Sequence, residues 1–190
     1  MNRAIACVAS LLLMVACGQA PSGGDDPALI TVFGAIDVPR SRGVGDPETE
    51  PLFAQYGLVF EDAAELSWQQ LASLDQYSVE VDFPAGGPVR RFSGPLLRDV
   101  MDLVHPQADE IVVTALDGYQ RQLALMTLDA HDVMLAIRLD DRPLSLGGLG
   151  PAMVVWPRSV DPVLAGMPDD DWVWGVFAIE VRNGLPRYAP

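Results

Sequence analysis

The chain has 190 residues, of which 49% are hydrophobic, and its 26 acidic and 12 basic residues give a net charge of -14. That hydrophobic content argues against intrinsic disorder, and the acidic charge would repel DNA and RNA, so we expect no nucleic-acid partner. All twelve basic residues are arginines, which excludes a lysine Schiff base and a P-loop lysine.

The N-terminus has the pattern of a secretion signal. Arg3 supplies one positive charge, and Ala4–Ala16 is apolar but shorter than the roughly 20 residues that a membrane span needs. The run LMVAC, which ends at Cys17, resembles the processing site of bacterial lipoproteins. This resemblance implies cleavage before Cys17, acylation of that residue and, because Gly18 follows, sorting to the outer membrane. An ordinary secretion signal in which Cys17 is incidental remains the alternative.

These features divide the chain into a signal peptide (1–16), a flexible tether rich in Pro, Ser, Gly and Asp (17–28), and one folded domain (29–190). Several acyl chains on Cys17 would hold the mature protein durably on the periplasmic side of a membrane. Loss of Arg3 with the signal changes the net charge to -15. No cysteine follows Cys17, so the domain can have no disulfide, thiolate nucleophile or cysteine metal ligand.

The first half of the domain shows strand, helix and hairpin signals. A strand is predicted at Leu29–Ile36, where apolar and β-branched residues cluster, and a long irregular segment at Asp37–Tyr56, a kind of loop that is usually functional or mobile. The capping-box spacing of Ser67 and Gln70 predicts a short helix over Ser67–Ser73. Period-two alternation and a Pro-Gly turn predict a hairpin of the strands Tyr77–Phe83 and Val89–Phe92.

The second half of the domain alternates strands with short helical segments. A helix starting at Pro95 is predicted to bury one face made of Leu96, Leu97, Val100, Met101 and Val104. The remaining predicted elements are the strands Glu110–Leu116 and Tyr119–Met126 joined by an Asp-Gly turn, a helix or turn at Thr127–Asp132, and the strands Val133–Leu139, Ala152–Trp156 and Trp172–Val181. This mixture predicts an α+β domain with a mixed, barrel-like β-sheet and short helices.

Several motifs in this half resemble one known family. They are Phe92–Val100 (FSGPLLRDV), Val113–Tyr119 (VTALDGY), Leu135–Ala136, Asp140–Leu144 (DDRPL), Gly150–Pro151, Val154–Pro157 (VVWP) and the closing run Trp172–Val181. Their order and spacing are similar to those of the sulfite-oxidase-type molybdopterin-binding domain, and most similar to its small secreted stand-alone versions. The resemblance spans Leu66 to Arg182. It implies the fold of that family, a molybdopterin cofactor and oxidoreductase activity.

The chain departs from the family at the residues that the resemblance makes most important. Catalytic members carry a molybdenum-ligating cysteine before the F-x-G motif, but the corresponding segment Tyr77–Pro84 has none, and Glu80 and Asp82 are hard ligands that would not reproduce a thiolate. The His-Gly motif with its following Arg is also missing from Leu146–Pro151. We therefore expect no catalytic residue and no cofactor; molybdopterin remains possible by resemblance alone. Candidate residues for a ligand-binding cleft are Tyr119, Arg142, Trp156 and Arg158.

Other chemical signals have simpler interpretations. His105 and His131 are too few for a histidine-rich zinc site, and His105 precedes Pro106 at a predicted helix end, where capping is the simpler role. Asp161 and Asp169–Asp171 could collect calcium, but acidic loops are usually only solvated. The run Gly147–Gly150 lacks the strand-to-helix context of a phosphate loop. We expect no metal site.

The sequence thus supports one main hypothesis and two alternatives. The main one is a lipid-anchored periplasmic lipoprotein, sorted to the outer membrane, with a non-catalytic molybdopterin-binding-like domain that binds a ligand or a protein. The first alternative is a molybdopterin-dependent oxidoreductase with atypical cofactor ligation. The second is a structural envelope lipoprotein that binds another protein. The expected partners are the membrane, through the anchor, and an unknown small ligand or envelope protein.

Overall fold

The structure is a computed structural model that describes residues 26–38 and 42–184. The predicted signal peptide and the lipidation site at Cys17 lie outside the described residues and stay predictions, as does the division into domains. Within the described ranges, no helix is both long and apolar enough to cross a bilayer.

Eleven strands, four short α-helices and two 3₁₀-helices make up the described part of the chain. The strands are β1 (Ala28–Gly34), β2 (Ala63–Ser67), β3 (Tyr77–Asp82), β4 (Val89–Gly94), β5 (Glu110–Ala115), β6 (Gln120–Ala124), β7 (Met134–Ala136), β8 (Arg138–Leu139), β9 (Arg142–Pro143), β10 (Met153–Val155) and β11 (Val176–Arg182). The α-helices are α1 (Pro51–Gln55), α2 (Trp68–Ser73), α3 (Leu97–Asp102) and α4 (Leu125–Ala130), and the 3₁₀-helices are Pro162–Leu164 and Asp169–Asp171.

The strands form three sheets around one main core. A five-stranded sheet has the order β2-β1-β11-β5-β6, in which only β1 and β11 run parallel. A four-stranded sheet has the order β3-β4-β8-β9, and β7 pairs with β10. Strands β7 and β10 are buried along their whole length, and they and both larger sheets supply residues to the main core. This arrangement of mixed sheets and short helices confirms the α+β prediction.

Locally encoded elements match the predictions. Ser67 Oγ accepts a hydrogen bond from the Gln70 N–H, while Gln70 Oε1 accepts one from the Ser67 N–H, so the predicted capping box is present at α2. Strands β3 and β4 form the predicted hairpin. All five residues of the apolar face predicted for α3 and its flanks are buried, namely Leu96, Leu97, Val100, Met101 and Val104.

The bounds of several predicted elements need correction. The segment Asp37–Tyr56 is not wholly irregular, because Pro51 begins helix α1, where the missing N–H of proline is not needed. The predicted strand Tyr119–Met126 ends at Ala124, where α4 begins, and the strand Val133–Leu139 is divided into β7 and β8 at Ile137.

The last predicted strand begins later than its apolar pattern indicated. Strand β11 starts at Val176 because Gly175, at φ +68°, breaks the extended conformation after Trp174. Strand β2 was not predicted at all. Its sequence AAELS has little β-branched or aromatic character, and pairing with β1 produces its extended conformation.

Candidate functional site

Arg158 is the centre of a buried ion-pair network beside strand β3. Its side chain is 5% exposed and lies against the Asp82 and Asp169 carboxylates, which are about one-third exposed. Arg158 Nε donates to Asp82 Oδ1 at 3.0 Å, and Nη1 donates to Asp169 Oδ1 at 2.6 Å. The guanidinium also donates to the backbone carbonyls of Asp82 (2.5 Å) and Met167 (3.2 Å). Four acceptors therefore surround the cation, which leaves little donor capacity for a ligand.

The β3–β4 turn holds the Asp82 carboxylate from the other side. The Gly86 N–H donates to Asp82 Oδ2 at 2.6 Å. This backbone hydrogen bond first, and then the Arg158 guanidinium, hold the pKa of Asp82 below its ordinary value. Asp82 is thus an ionised structural partner at neutral pH.

An aromatic layer covers the Arg158 network. The guanidinium lies 4.5 Å from the centroid of the Trp172 ring, and Phe83 stacks on the same ring at 5.4 Å between centroids. Trp172 is 2% exposed, and its Nε1 has no hydrogen-bond partner. Arginine, tryptophan and phenylalanine side chains therefore fill the space next to the end of the Tyr77–Pro84 segment.

Three of the four predicted cleft residues meet at the 3₁₀-helix Asp169–Asp171. Tyr119 Oη donates to the Asp170 carbonyl at 2.8 Å, and Trp156 Nε1 donates to the Asp171 carbonyl at 2.9 Å. Arg158 binds the Asp169 carboxylate, as described above. The structure thus brings these side chains together, but it uses their polar groups to fix one segment of the chain.

Arg142 lies apart from this group, on strand β9 of the four-stranded sheet. Of the arginines that the structure describes, it is the one whose side chain has neither an ion pair nor a hydrogen bond. Its exposed position makes it a surface cation.

A polar cleft of about 390 Å³ lies next to Trp156. Its lining comes from β5, β6, α4 and the 3₁₀-helix, namely Glu110, Gln122, Leu123, Ala124, Thr127, Trp156 and Asp171. Asp171 forms an ion pair with Arg121, and Glu110 accepts a hydrogen bond from the Gln122 amide. The two charged residues of the lining are carboxylates, so this cleft disfavours an anionic ligand.

The remaining candidate residues form no metal site. His131 Nδ1 lies 2.6 Å from Asp161 Oδ2, and this contact lowers the pKa of the Asp161 carboxyl. His105 is exposed and lies three residues after the end of α3. Its backbone has a φ of +45°, and its N–H donates to the Asp102 carbonyl. In residues 26–38 and 42–184, no three His, Cys, Asp or Glu side chains are grouped closely enough to hold a metal ion.

A protein-family model provides the decisive comparison. The model of the oxidoreductase molybdopterin binding domain matches residues 55–161, which is more than half of the chain. The chain belongs to this family. The match begins before Leu66 and ends before the closing strand β11, so it covers the hairpin, α3 and the loop that precedes β10.

Solved structures show the same fold. The sulfane dehydrogenase SoxCD from Paracoccus pantotrophus superposes with a TM-score of 0.53 at 13% sequence identity. The superposition covers 81% of this chain but only 38% of the SoxCD chain, so this protein spans well under half the length of that relative. No curated protein matches the sequence.

The residues at this site do not fit a molybdopterin centre. The family resemblance places a soft thiolate in Tyr77–Pro84, but sulfur is absent from that segment, its Asp82 carboxylate is held by Arg158 and Gly86, and Glu80 is exposed on β3. The phosphate of a pterin would also need free cations or N–H groups. The buried cation closest to the segment, Arg158, is already neutralised by two carboxylates.

Sequence reasoning identified the members of the Arg158 network but not their pairing. Asp82 was considered only as a hard ligand that would not replace a thiolate, Asp169 as part of an acidic run that is usually solvated, and Arg158 as a cleft residue. Asp82 and Arg158 are 76 positions apart, so no spacing rule joins them. The motif VVWP, which places Arg158 directly after Pro157, was the only available signal.

Proposed function

We propose that this protein is a non-catalytic member of the molybdopterin-binding domain family that acts as a binding module of the cell envelope. The observation that supports this proposal most directly is the Arg158 network. Where the family resemblance places a metal-binding thiolate, this chain has an Asp82–Arg158–Asp169 ion-pair network under the rings of Phe83 and Trp172. These side chains stabilise the fold at that position and provide no soft ligand.

The lipoprotein-like sequence around Cys17 supports a location at the periplasmic face of a membrane, anchored through acyl chains. An anchored module without redox chemistry fits protein recognition better than small-molecule binding, because Arg158, Trp172 and Phe83 pack tightly beside the segment in which the family resemblance places the metal ligand. Neither the cleft next to Trp156 nor the groove beside helix α1 is lined by residues of Tyr77–Pro84 or Leu146–Pro151.

Pterin analysis separates this proposal from the atypical oxidoreductase. The mature protein would be purified from a host that makes molybdopterin, oxidised with iodine and examined for the fluorescence of released pterin. A cysteine-containing member of the family, purified from the same host, is the positive control. The proposal predicts pterin fluorescence only from the control, and a stoichiometric pterin signal from this protein would refute it.

A purely structural lipoprotein differs from a dedicated binding module in its partner. Purification from detergent-solubilised membranes of the native host, followed by mass spectrometry, tests this difference. A stable complex with an abundant wall or outer-membrane component would favour the structural role. A partner that dissociates in high salt would favour a binding module of moderate affinity.

A further inference from the structure

A second, smaller hydrophobic core shares no residue with the Arg158 network. It consists of the buried residues Phe33, Phe60, Ala63 and Ala178, with Phe53, Leu58 and Phe177 packed against them. The rings of Phe33 and Phe60 are 5.0 Å apart, and the Phe53 ring meets Phe60 edge-on at 5.3 Å. These contacts fix the position of helix α1 and of the segment after it, so the surface that they form is already shaped before any partner binds.

This small core has a groove on its outer side. The groove has a volume of about 190 Å³ and is lined by Val44, Gly45, Pro47, Glu50, Phe53, Ala54, Leu58, Val59 and Phe60. All of these except Glu50 are apolar or glycine. Val44 and Val59 are 74% and 85% exposed, so two large apolar side chains of the lining face solvent. We call this surface the α1 groove.

The size of the α1 groove indicates the kind of ligand. Small-molecule sites usually have volumes of about 300–1,000 Å³, so this groove is small for a metabolite or cofactor. It suits one or two apolar side chains of a polypeptide, which is how anchor residues usually bind at protein interfaces.

The charges around the α1 groove are strongly unbalanced. Residues 42–65 contain six acidic side chains and one arginine. Arg42 forms ion pairs with Glu50 and Glu65, and its guanidinium lies 5.2 Å from the centroid of the Phe53 ring. Its charge is therefore already neutralised inside the rim. Glu48 and Glu61, which adjoin groove residues in the sequence, are exposed and have no ion-pair partner.

We propose that the α1 groove binds a segment of a partner protein in which an apolar anchor side chain is flanked by lysine or arginine. This inference rests on the proposed function and names the partner chemistry of the binding module. The apolar groove would bury the anchor, while the carboxylates of the rim would pair with the flanking cations and speed association. The same carboxylates disfavour binding to anionic lipid headgroups.

The test uses two synthetic peptides with the same Leu-Phe centre, one flanked by lysines and the other by glutamates. Binding to the mature protein is measured by isothermal titration calorimetry and by NMR chemical-shift changes. We expect binding of the lysine peptide only, with shifts around the α1 groove and an affinity that falls as salt is raised. Absence of lysine-peptide binding, or equal binding of both peptides, overturns the proposal.

Matched variants separate the local rim from the overall negative charge. The groove variant combines Glu48→Lys and Glu61→Lys. The control variant combines Asp75→Lys and Asp102→Lys, which replaces two exposed carboxylates outside the groove and changes the net charge by the same amount. We expect the groove pair to weaken lysine-peptide binding about tenfold and the control pair to have a much smaller effect. Equal losses from both pairs would show a non-specific charge effect and overturn the proposal.

A second pair of variants tests the apolar anchor. Val59→Asp places a charge on the groove wall, whereas Val163→Asp makes the same change at a residue that is 78% exposed and does not line the groove. Only Val59→Asp should weaken binding, and equal effects of the two would overturn the proposal. Sedimentation tests whether a second copy of this chain occupies the groove; a dimer that Val59→Asp dissociates would also overturn it. Pterin content of the same preparations reports separately on the proposed function.

Discussion

Replacing Arg158 with methionine would remove the central cation of the network while keeping a long apolar side chain. The side chains of Asp82 and Asp169 are about one-third exposed, so water can solvate their carboxylates once the arginine is gone. Loss of these two ion pairs should therefore add little to the change in the free energy of unfolding. The backbone carbonyls of Asp82 and Met167 each lose a charge-assisted hydrogen bond, at about 1 kcal/mol apiece. Loss of the cation over Trp172 adds about 1 kcal/mol. The expected total is about 3 kcal/mol.

This loss can be measured by thermal unfolding followed by circular dichroism. For a domain of this size, a loss of about 3 kcal/mol corresponds to a fall in Tm of roughly 6–12 °C. Arg142→Met is the matched control, because Arg142 is exposed without a partner and its replacement should change stability by less than about 0.5 kcal/mol. Equal Tm values for the two variants would refute the view that the Arg158 network stabilises the fold.

Three further predictions concern pH, packing and anchoring. Because the folded-state pKa of Asp82 is lowered, its stabilising effect is present above its ordinary pKa of about 3.9 and is lost as the pH falls through the folded-state value. The Tm of Asp82→Asn should therefore fall less than that of the wild type as the pH is lowered from 5 to 2. Parallel curves of Tm against pH for the two proteins would contradict this. Gly94→Ala should destabilise by about 3 kcal/mol or more in urea unfolding, because its Cβ would clash with the backbone carbonyl oxygen of Leu135; Gly166→Ala, whose Cβ meets no atom within 4 Å, should not. Cys17→Ser should abolish incorporation of radiolabelled palmitate and release the protein from the membrane fraction, whereas unchanged labelling would disprove the anchor.

Sequence reasoning succeeded where the signal lay within a few neighbouring residues. The Ser67–Gln70 capping box, the β3–β4 hairpin and the buried face of α3 follow from turn chemistry and periodicity. Strand β2 was missed because its extended conformation depends on pairing with β1, which is distant in sequence. Local propensity cannot report such tertiary pairing.

The candidate site illustrates the same limit. Tyr119, Trp156 and Arg158 were predicted as cleft residues, and the structure brings them together, but at the 3₁₀-helix Asp169–Asp171, whose role in binding their polar groups was not foreseen. The α1 groove was not predicted either. Its lining lies partly in a segment that was interpreted as irregular, and its apolar residues form a surface only when they pack on β1 and β11.

Metal analysis of the purified mature protein is the most direct test of the central claim. The protein would be isolated from a host that assembles the molybdenum cofactor, and the molybdenum-to-protein ratio measured by inductively coupled plasma mass spectrometry. With Asp82, Arg158 and Asp169 paired beside the predicted ligand segment, the account predicts a ratio at the background level of a protein from the same host that binds no cofactor. A ratio approaching one molybdenum per chain would contradict it.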